Sequence, residues 1–350
     1  QQEGSRILKR APYINYIMGP QNIHALKDVV KGNATKPIYI EENHFIIEND
    51  SPIERKDRVR AWINIMYGCN NFCSYCVVPY TRGREISRPA VDIVDEIRKL
   101  AEEGFKEVTL LGQNVNSYKS DMTFTELLKG LNDIPGIERI RFVTSHPKDL
   151  SDELIFAIKE LDKVCEHIHL PLQSGSTRIL NLMNRKYTYD DYVKKVEKLR
   201  NKIPEIAITS DMIAAFPQET DEDHKATLRA LREIRFDGLF AFKYSPRPGT
   251  KAEMMDGRVP DDVGAERLIE IFEVQEDIMI NKNKELKGIV QEVLIEGSSE
   301  NNDKMLCGRT RTGKIVNIPE DSRIKIGDIV NIKIITTSKH SLKGSPIFNN

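Results

Sequence analysis

The sequence predicts an α/β chain in which a partial (β/α)6 barrel is followed by a small all-β barrel. Three observations lead there. Short apolar runs alternate with helical periodicity between residues 61 and 244, about six such units occur, and from residue 288 the pattern changes to period two. A standard barrel closes with eight units, so six leave it open, with its site at the C-terminal ends of the strands.

Residues 1–60 show one helix-like stretch near Asn22 to Val30, then a charged, extended stretch through Arg60. Ala61 to Met66 reads as the first strand. After a cysteine-rich loop, Pro89 sits where a helix begins, and Val94, Ile97, Leu100 and Ala101 recur at helical spacing up to Gly104. Strand Lys106 to Leu111, helix Phe124 to Leu131, strand Arg139 to Val143 and helix Ser151 to Leu161 follow. Strand His167 to Leu170, helix Tyr189 to Asn201, and strands Ile206 to Ala214 and Gly238 to Tyr244 complete the set. Thr220, with acids at 221–223, caps the helix between the last two strands. Pro260 to Leu286 predicts one long helix with Leu268, Ile271, Phe272 and Ile278 on its inner face. Alternation in Ile289–Ile295, Lys314–Ile318 and Ile329–Ile334, with Gly turns between, predicts a β-barrel of oligonucleotide-binding type.

Hydrophobic residues make up 39% of the 350 and charged residues 30%, enough to bury a sizeable core in more than one domain. No apolar run approaches the ~18 residues of a membrane span. Five cysteines and no signal-peptide pattern predict a reducing, cytoplasmic setting. The opening Gln1-Gln2-Glu3-Gly4, without an initiating methionine, predicts a trimmed chain. A net charge of −1 excludes a globally basic nucleic-acid binder and leaves RNA affinity to local patches.

Cys69, Cys73 and Cys76 stand at C-x3-C-x2-C spacing in the loop after the first strand. A 4Fe–4S cluster takes one thiolate per iron, so three cysteines leave one iron open to a substrate. Structural zinc takes four ligands, and no second pair is present unless the fold brings Cys165 close.

The run Tyr67 to Arg88 resembles the radical S-adenosylmethionine (SAM) methylthiotransferases, most closely their tRNA branch, the MiaB family. The similarity extends to Leu110 to Tyr118, Thr144 to Pro147, His169 to Ser176, Met183 to Thr188 and Tyr244 to Thr250, and it covers residues 1–350. It implies a remnant of the N-terminal methylthiotransferase domain and linker (1–50), a radical SAM core (51–286) and a TRAM RNA-binding domain (287–350). Cys69, Cys73 and Cys76 are then the cluster ligands, with Gln173, Ser174 and Arg185 near SAM. A guanidinium takes a carboxylate bidentately, and Gln113 and Asn114 suit amino or ribose groups. Without the resemblance these are ordinary polar loop residues. In the family pattern glycines stand where this chain has Ala215 and Gln218, and glycine reaches positive φ most easily. The family also carries three N-terminal cysteines for a second 4Fe–4S cluster that supplies or holds sulfur; no cysteine precedes Cys69 here.

The implied reaction is methylthiolation of N6-isopentenyladenosine beside the tRNA anticodon, with two SAM molecules and an electron donor such as flavodoxin or ferredoxin. The implied state is a monomer. Because a radical abstracts the hydrogen, no acid–base pair is demanded, and His146, His167 and His169 read as structural. Two basic stretches, Arg309, Arg311 and Lys314, then Lys339, His340 and Lys343, suit phosphate tracking by the tail. Arg82, Arg84 and Arg88 give the cysteine loop a donor-rich rim, tempered by Glu85. Two other readings remain open: methylthiolation of an aspartate in a ribosomal protein, and a metal-stapled RNA-binding module without catalysis.

Overall fold

The computed structural model describes residues 2–41, 54–299 and 302–348. The extended stretch expected up to Arg60 lies partly outside these residues.

Six parallel strands form the core: β1 (Arg60–Asn64), β2 (Glu107–Leu111), β3 (Arg139–Phe142), β4 (His167–His169), β5 (Ala207–Ala214) and β6 (Gly238–Lys243). They pair as β1-β2-β3 and β6-β5-β4. A parallel bridge between Ile140 and Val164 joins the halves at β3 and β4, leaving β1 and β6 as the outer strands of an open half-barrel. Five helices cover the outside: α1 (Ala90–Glu102), α2 (Phe124–Asn132), α3 (Asp152–Glu160), α4 (Tyr189–Lys202) and α5 (Asp221–Ile234). Capping boxes start α2, α4 and α5 at Thr123, Thr188 and Thr220, where a hydroxyl satisfies an otherwise unpaired N–H. The apolar faces of these helices meet the outward side chains of the strands in one continuous core.

α6 (Asp261–Glu285) is the long helix, but its buried face is Gly264, Arg267, Ile271, Gln275 and Ile278, while Phe272 is exposed. Arg267 is held inward by Glu219 (2.9 Å) and Asp221 (2.6 Å), and Gln275 donates to the Phe236 carbonyl (2.9 Å). Polar partners on the core, rather than apolarity, set that face. Among the described residues no helix is long and apolar enough to cross a membrane.

The tail is a closed barrel of β7 (Val290–Ser299), β8 (Asn302–Thr310), β9 (Ile315–Pro319), β10 (Ile329–Thr337) and β11 (Leu342–Pro346), with its own apolar core. It seats against the N-terminal ends of the core strands. Arg139 of β3 donates to the Arg309 carbonyl (2.7 Å) and pairs with Glu292 (2.8 Å); Arg141 donates to the Thr310 and Arg311 carbonyls (2.7 Å each) and pairs with buried Glu107 of β2 (2.9 Å). Arg311 forks onto Glu166 with two 2.7 Å bonds, and Glu296 takes Arg60 and Arg309, each at 3.1 Å. Tail and core are one polar, interlocked junction.

Candidate functional site

The cysteine loop leaves β1 at its C-terminal end, inside a short hairpin of Met66–Tyr67 with Ile86–Ser87. Gly68 (φ +70) makes the pinch: a Cβ there would fall 2.0 Å from the Arg84 carbonyl oxygen. Ser74 N–H donates to the Met183 carbonyl (3.0 Å) and its hydroxyl to that of Leu182 (2.8 Å), while Asn184 Nδ2 donates to the Phe72 carbonyl (2.9 Å). The loop is thereby clamped onto the segment after the short helix Thr177–Leu182, an element the periodicity does not predict.

Clamping brings Arg185 to the cysteines. Its guanidinium is buried, with Nη1 3.3 Å from Cys73 Sγ and from Tyr75 Oη, Nη2 2.9 Å from the Pro171 carbonyl, and Nε 2.9 Å from Tyr187 Oη. Burial pushes the Cys76 thiol up to about 11 and raises Cys69 as well, each further raised by neighbouring thiols. Such thiols bind protons tightly until a cation displaces them. Cys165 is buried at the other end of the strands, with Arg141, Glu107 and Arg139 around it, and so offers no fourth ligand to the loop. Among the described residues no three His, Cys, Asp or Glu side chains form a group that could hold one metal ion. Three soft thiol donors on one loop, not gathered around one ion, suit a multi-iron cluster with one thiolate per iron better than zinc.

Around this loop, buried polar atoms without partners collect at the strand C-terminal ends: Gln113 Oε1, Asn114 Oδ1, Ser145 Oγ, His146 Nε2 and Tyr244 Oη. Buried polar groups are normally paired, so such a cluster marks a place shaped for a polar ligand. Asn114 is oriented by Asp149, which accepts from its Nδ2 at 2.8 Å. Gln173 is held at φ +76 by its N–H to the Asp211 carbonyl (2.9 Å), and its own carbonyl accepts from Ile213. Ser174 is turned toward α5, its hydroxyl 3.4 Å from Thr227 Oγ1 and accepting from Ser176 N–H (3.2 Å). Gln113, Asn114 and Gln173 thus join Cys69, Cys73, Cys76 and Arg185 at the strand C-terminal ends; the Ser174 hydroxyl serves the loop's own packing.

Sequence reasoning assigned His146 no more than a structural role. Its Nδ1 accepts from the Lys148 N–H (3.2 Å), so the proton sits on Nε2, and burial, reinforced by Arg185, Lys148 and Lys195, pushes its pKa down to about 2. A neutral imidazole with an unpaired N–H is a fixed donor facing the site. The signal available in sequence was its place in Thr144-Ser145-His146-Pro147, directly after β3.

The tail cations fall elsewhere, which revises the expectation for them. Arg309 and Arg311 are ion-paired within the junction, and Lys314 donates to the Asp237 carbonyl (3.3 Å) there. Lys339 pairs with Glu276 of α6 (2.5 Å), whereas Lys343 is exposed on β11. Of the loop rim, Arg88 is buried against Glu96 (2.9 Å) and Arg84 lies 4.3 Å over the Phe72 ring, while Arg82 is exposed.

Comparison with known proteins agrees with this arrangement. Residues 63–231 match the Radical SAM superfamily and residues 284–347 the TRAM domain. The tRNA-2-methylthio-N(6)-dimethylallyladenosine synthase of Thermodesulfovibrio yellowstonii is 55% identical over 348 residues, 99% of this chain and 80% of that protein. Those of Caldicellulosiruptor saccharolyticus and Acetivibrio thermocellus are 50% and 49% identical, over 98% and 97% of this chain and 74% and 72% of theirs. With thiol loop, half-barrel and tail barrel each in place, the chain belongs to the tRNA-2-methylthio-N(6)-dimethylallyladenosine synthase family of radical SAM proteins.

Proposed function

We propose that this chain methylthiolates N6-isopentenyladenosine beside the anticodon of tRNA. The observation that carries the reading is the thiol loop clamped beside a buried arginine and a set of unpaired buried polar atoms, in a chain of this family. Cys69, Cys73 and Cys76 would hold a 4Fe–4S cluster, and Arg185, Gln113, Asn114 and Gln173 would bind SAM. When bound, the cluster and SAM supply the radical that removes hydrogen from an unactivated aromatic carbon.

The chain's own residues prepare that step. Arg185 brings a permanent positive charge to the thiol side of the site and suits a carboxylate. His146 Nε2–H and the Gln113 and Asn114 carbonyls provide one donor and two acceptors in fixed places. Burial of the loop excludes bulk water, which a reactive radical requires. A second cluster belongs to the reading for sulfur insertion, with no ligands for it before Cys69 in this sequence. A small reduced carrier such as flavodoxin or ferredoxin as electron donor, a monomeric state and a cytoplasmic location complete it.

The test is anaerobic reconstitution of wild type and Cys73→Ala, with iron and sulfide analysis and detection of 5′-deoxyadenosine from SAM under reductant. About four irons per chain and SAM cleavage in wild type, both lost in the variant, are expected from one thiolate per iron. Zinc without acid-labile sulfide sinks the reading. Iron and cleavage, with a ribosomal-protein aspartate modified instead of tRNA, would move it to the other branch.

A further inference from the structure

Side chains alternate along the two outer strands of the half-barrel. On β1, Ala61 and Ile63 are buried against the helices, while Arg60 and Trp62 face the other way, and Arg60 reaches Glu296 of the tail (3.1 Å). On β6, Ala241 is buried, and Phe240 and Phe242 take the opposite face. Trp62 is 55% exposed, Phe240 61% and Phe242 59%, although all three lie in strands. Rings of this size in a strand are normally covered. Here they flank the inner face of the half-barrel at its two margins.

Between the margins, that inner face is polar at one level. Phe240 is in register with Asp211 of β5, and Phe242 with Ile213. The His169 ring of β4 stands 6.3 Å from that of Phe240, edge-on; its Nδ1 is 3.0 Å from Thr209 Oγ1 and its Nε2 3.4 Å from Asp211 Oδ1. A carboxylate accepts several hydrogen bonds, so Asp211 has capacity for an N–H beyond its histidine neighbour. Below this level Arg139 and Arg141 lock the tail across the strand N-terminal ends, and above it β1 runs directly into the cysteine loop. The inner face is a chamber with a closed floor, a thiol loop at its top, aromatic rings at its open side and one acidic acceptor inside.

Resting on the tRNA reading above, we infer that Trp62, Phe240 and Phe242 hold the target adenine and its N6 branch out of the RNA stack, with Asp211 accepting the remaining N6–H. A base taken from a loop is kept by stacking on aromatic faces and by hydrogen bonds to its edge. The apolar five-carbon branch adds a surface that rings cover and a polar wall would not. Neighbouring nucleotides without that branch gain less from the same rings, so the wall selects the modified base.

Trp62 is the one tryptophan of the 350 residues, so the chain carries its own reporter at the proposed contact. The anaerobically reconstituted chain is titrated with two anticodon stem-loop RNAs, one with N6-dimethylallyladenosine at the target position and one abasic there. The expected result is a change in Trp62 emission with the first RNA only. Phe240→Leu and Phe242→Leu, which keep apolar bulk on exposed positions, each weaken binding of the first RNA roughly five- to hundredfold, the range of one stacking contact, and leave the abasic RNA unchanged. Equal affinity for both RNAs with unchanged emission overturns the aromatic wall and leaves the tRNA reading standing. Binding of neither RNA overturns the tRNA reading and the wall with it.

Discussion

Ala215 and Gln218 adopt φ of +58 and +67 without being glycine. The loop after β5 thus keeps the left-handed geometry its family pattern encodes with glycine, at a steric cost of about 1–2 kcal/mol per residue. What holds it is local: Gln218 N–H donates to the Gly257 carbonyl (2.7 Å) and Arg178 to the Gln218 carbonyl (2.6 Å). Gln218 is exposed, so Gln218→Gly should raise the unfolding free energy by up to about 1 kcal/mol in urea titration, the steric relief minus glycine's added chain entropy. Ala215 is buried with its methyl against Gly264, so Ala215→Gly should gain less. A lower stability for Gln218→Gly would show that the side chain itself supports the loop. This is also where residue-level reading reached its limit: the two departures were visible in sequence, but whether the backbone would follow the family was decided by partners 39 and 40 positions away, at Gly257 and Arg178.

At the scale of elements, the strands and helices of the core were legible because each is a run of one period bounded by Pro, Gly or a hydroxyl cap. β2 and β3 are buried on both faces and read as continuous runs, though their inner faces contain Glu107, Arg139 and Arg141. Those charges gave no sign of their purpose. Arg311 meets Glu166 and Arg141 meets the Thr310 carbonyl across 145 and 169 residues, so charge order along the tail could not distinguish cations that dock from cations that meet solvent. α6 misled for a related reason, since Arg267 and Gln275 occupy positions an apolar rule reserves for Leu and Phe. The short helix Thr177–Leu182 and the two-residue arms beside the thiol loop are below the length at which periodicity speaks. The docking of strand ends on the tail carries its own prediction. Arg141→Met leaves Glu107 buried without its partner and should lower stability by about 3–5 kcal/mol, whereas Arg141→Met with Glu107→Leu should recover most of that loss. A double variant no better than the single one would mean that the bonds to the Thr310 and Arg311 carbonyls, not the ion pair, hold the junction.

For the whole molecule, the junction makes stability depend on pH. His167 begins β4 beside the tail, and burial, with Arg141, His169 and Lys314 adding to it, pushes its pKa down to about 3. An unfolded histidine titrates near 6.5, so between about 6.5 and 3 the unfolded chain binds a proton that the folded chain refuses. Stability is therefore full above 6.5 and falls as the pH drops toward 3, by up to about 1.4 kcal/mol per pH unit from this residue. His167→Gln should flatten the decline in denaturation midpoints between pH 6.5 and 5; an unchanged slope would assign the acid sensitivity to other groups, such as His146.

The same junction fixes a length. The tail sits across one end of the strands and the thiol loop rises from the other, and the eight residues of β5 cover roughly 26 Å at about 3.3 Å each. A tail on a loose tether would let RNAs of many sizes touch both ends; a locked one acts as a caliper with its jaws set. Any RNA that grips both must bridge that span along the flank of the barrel, and a fragment too short to do so is held by a single jaw.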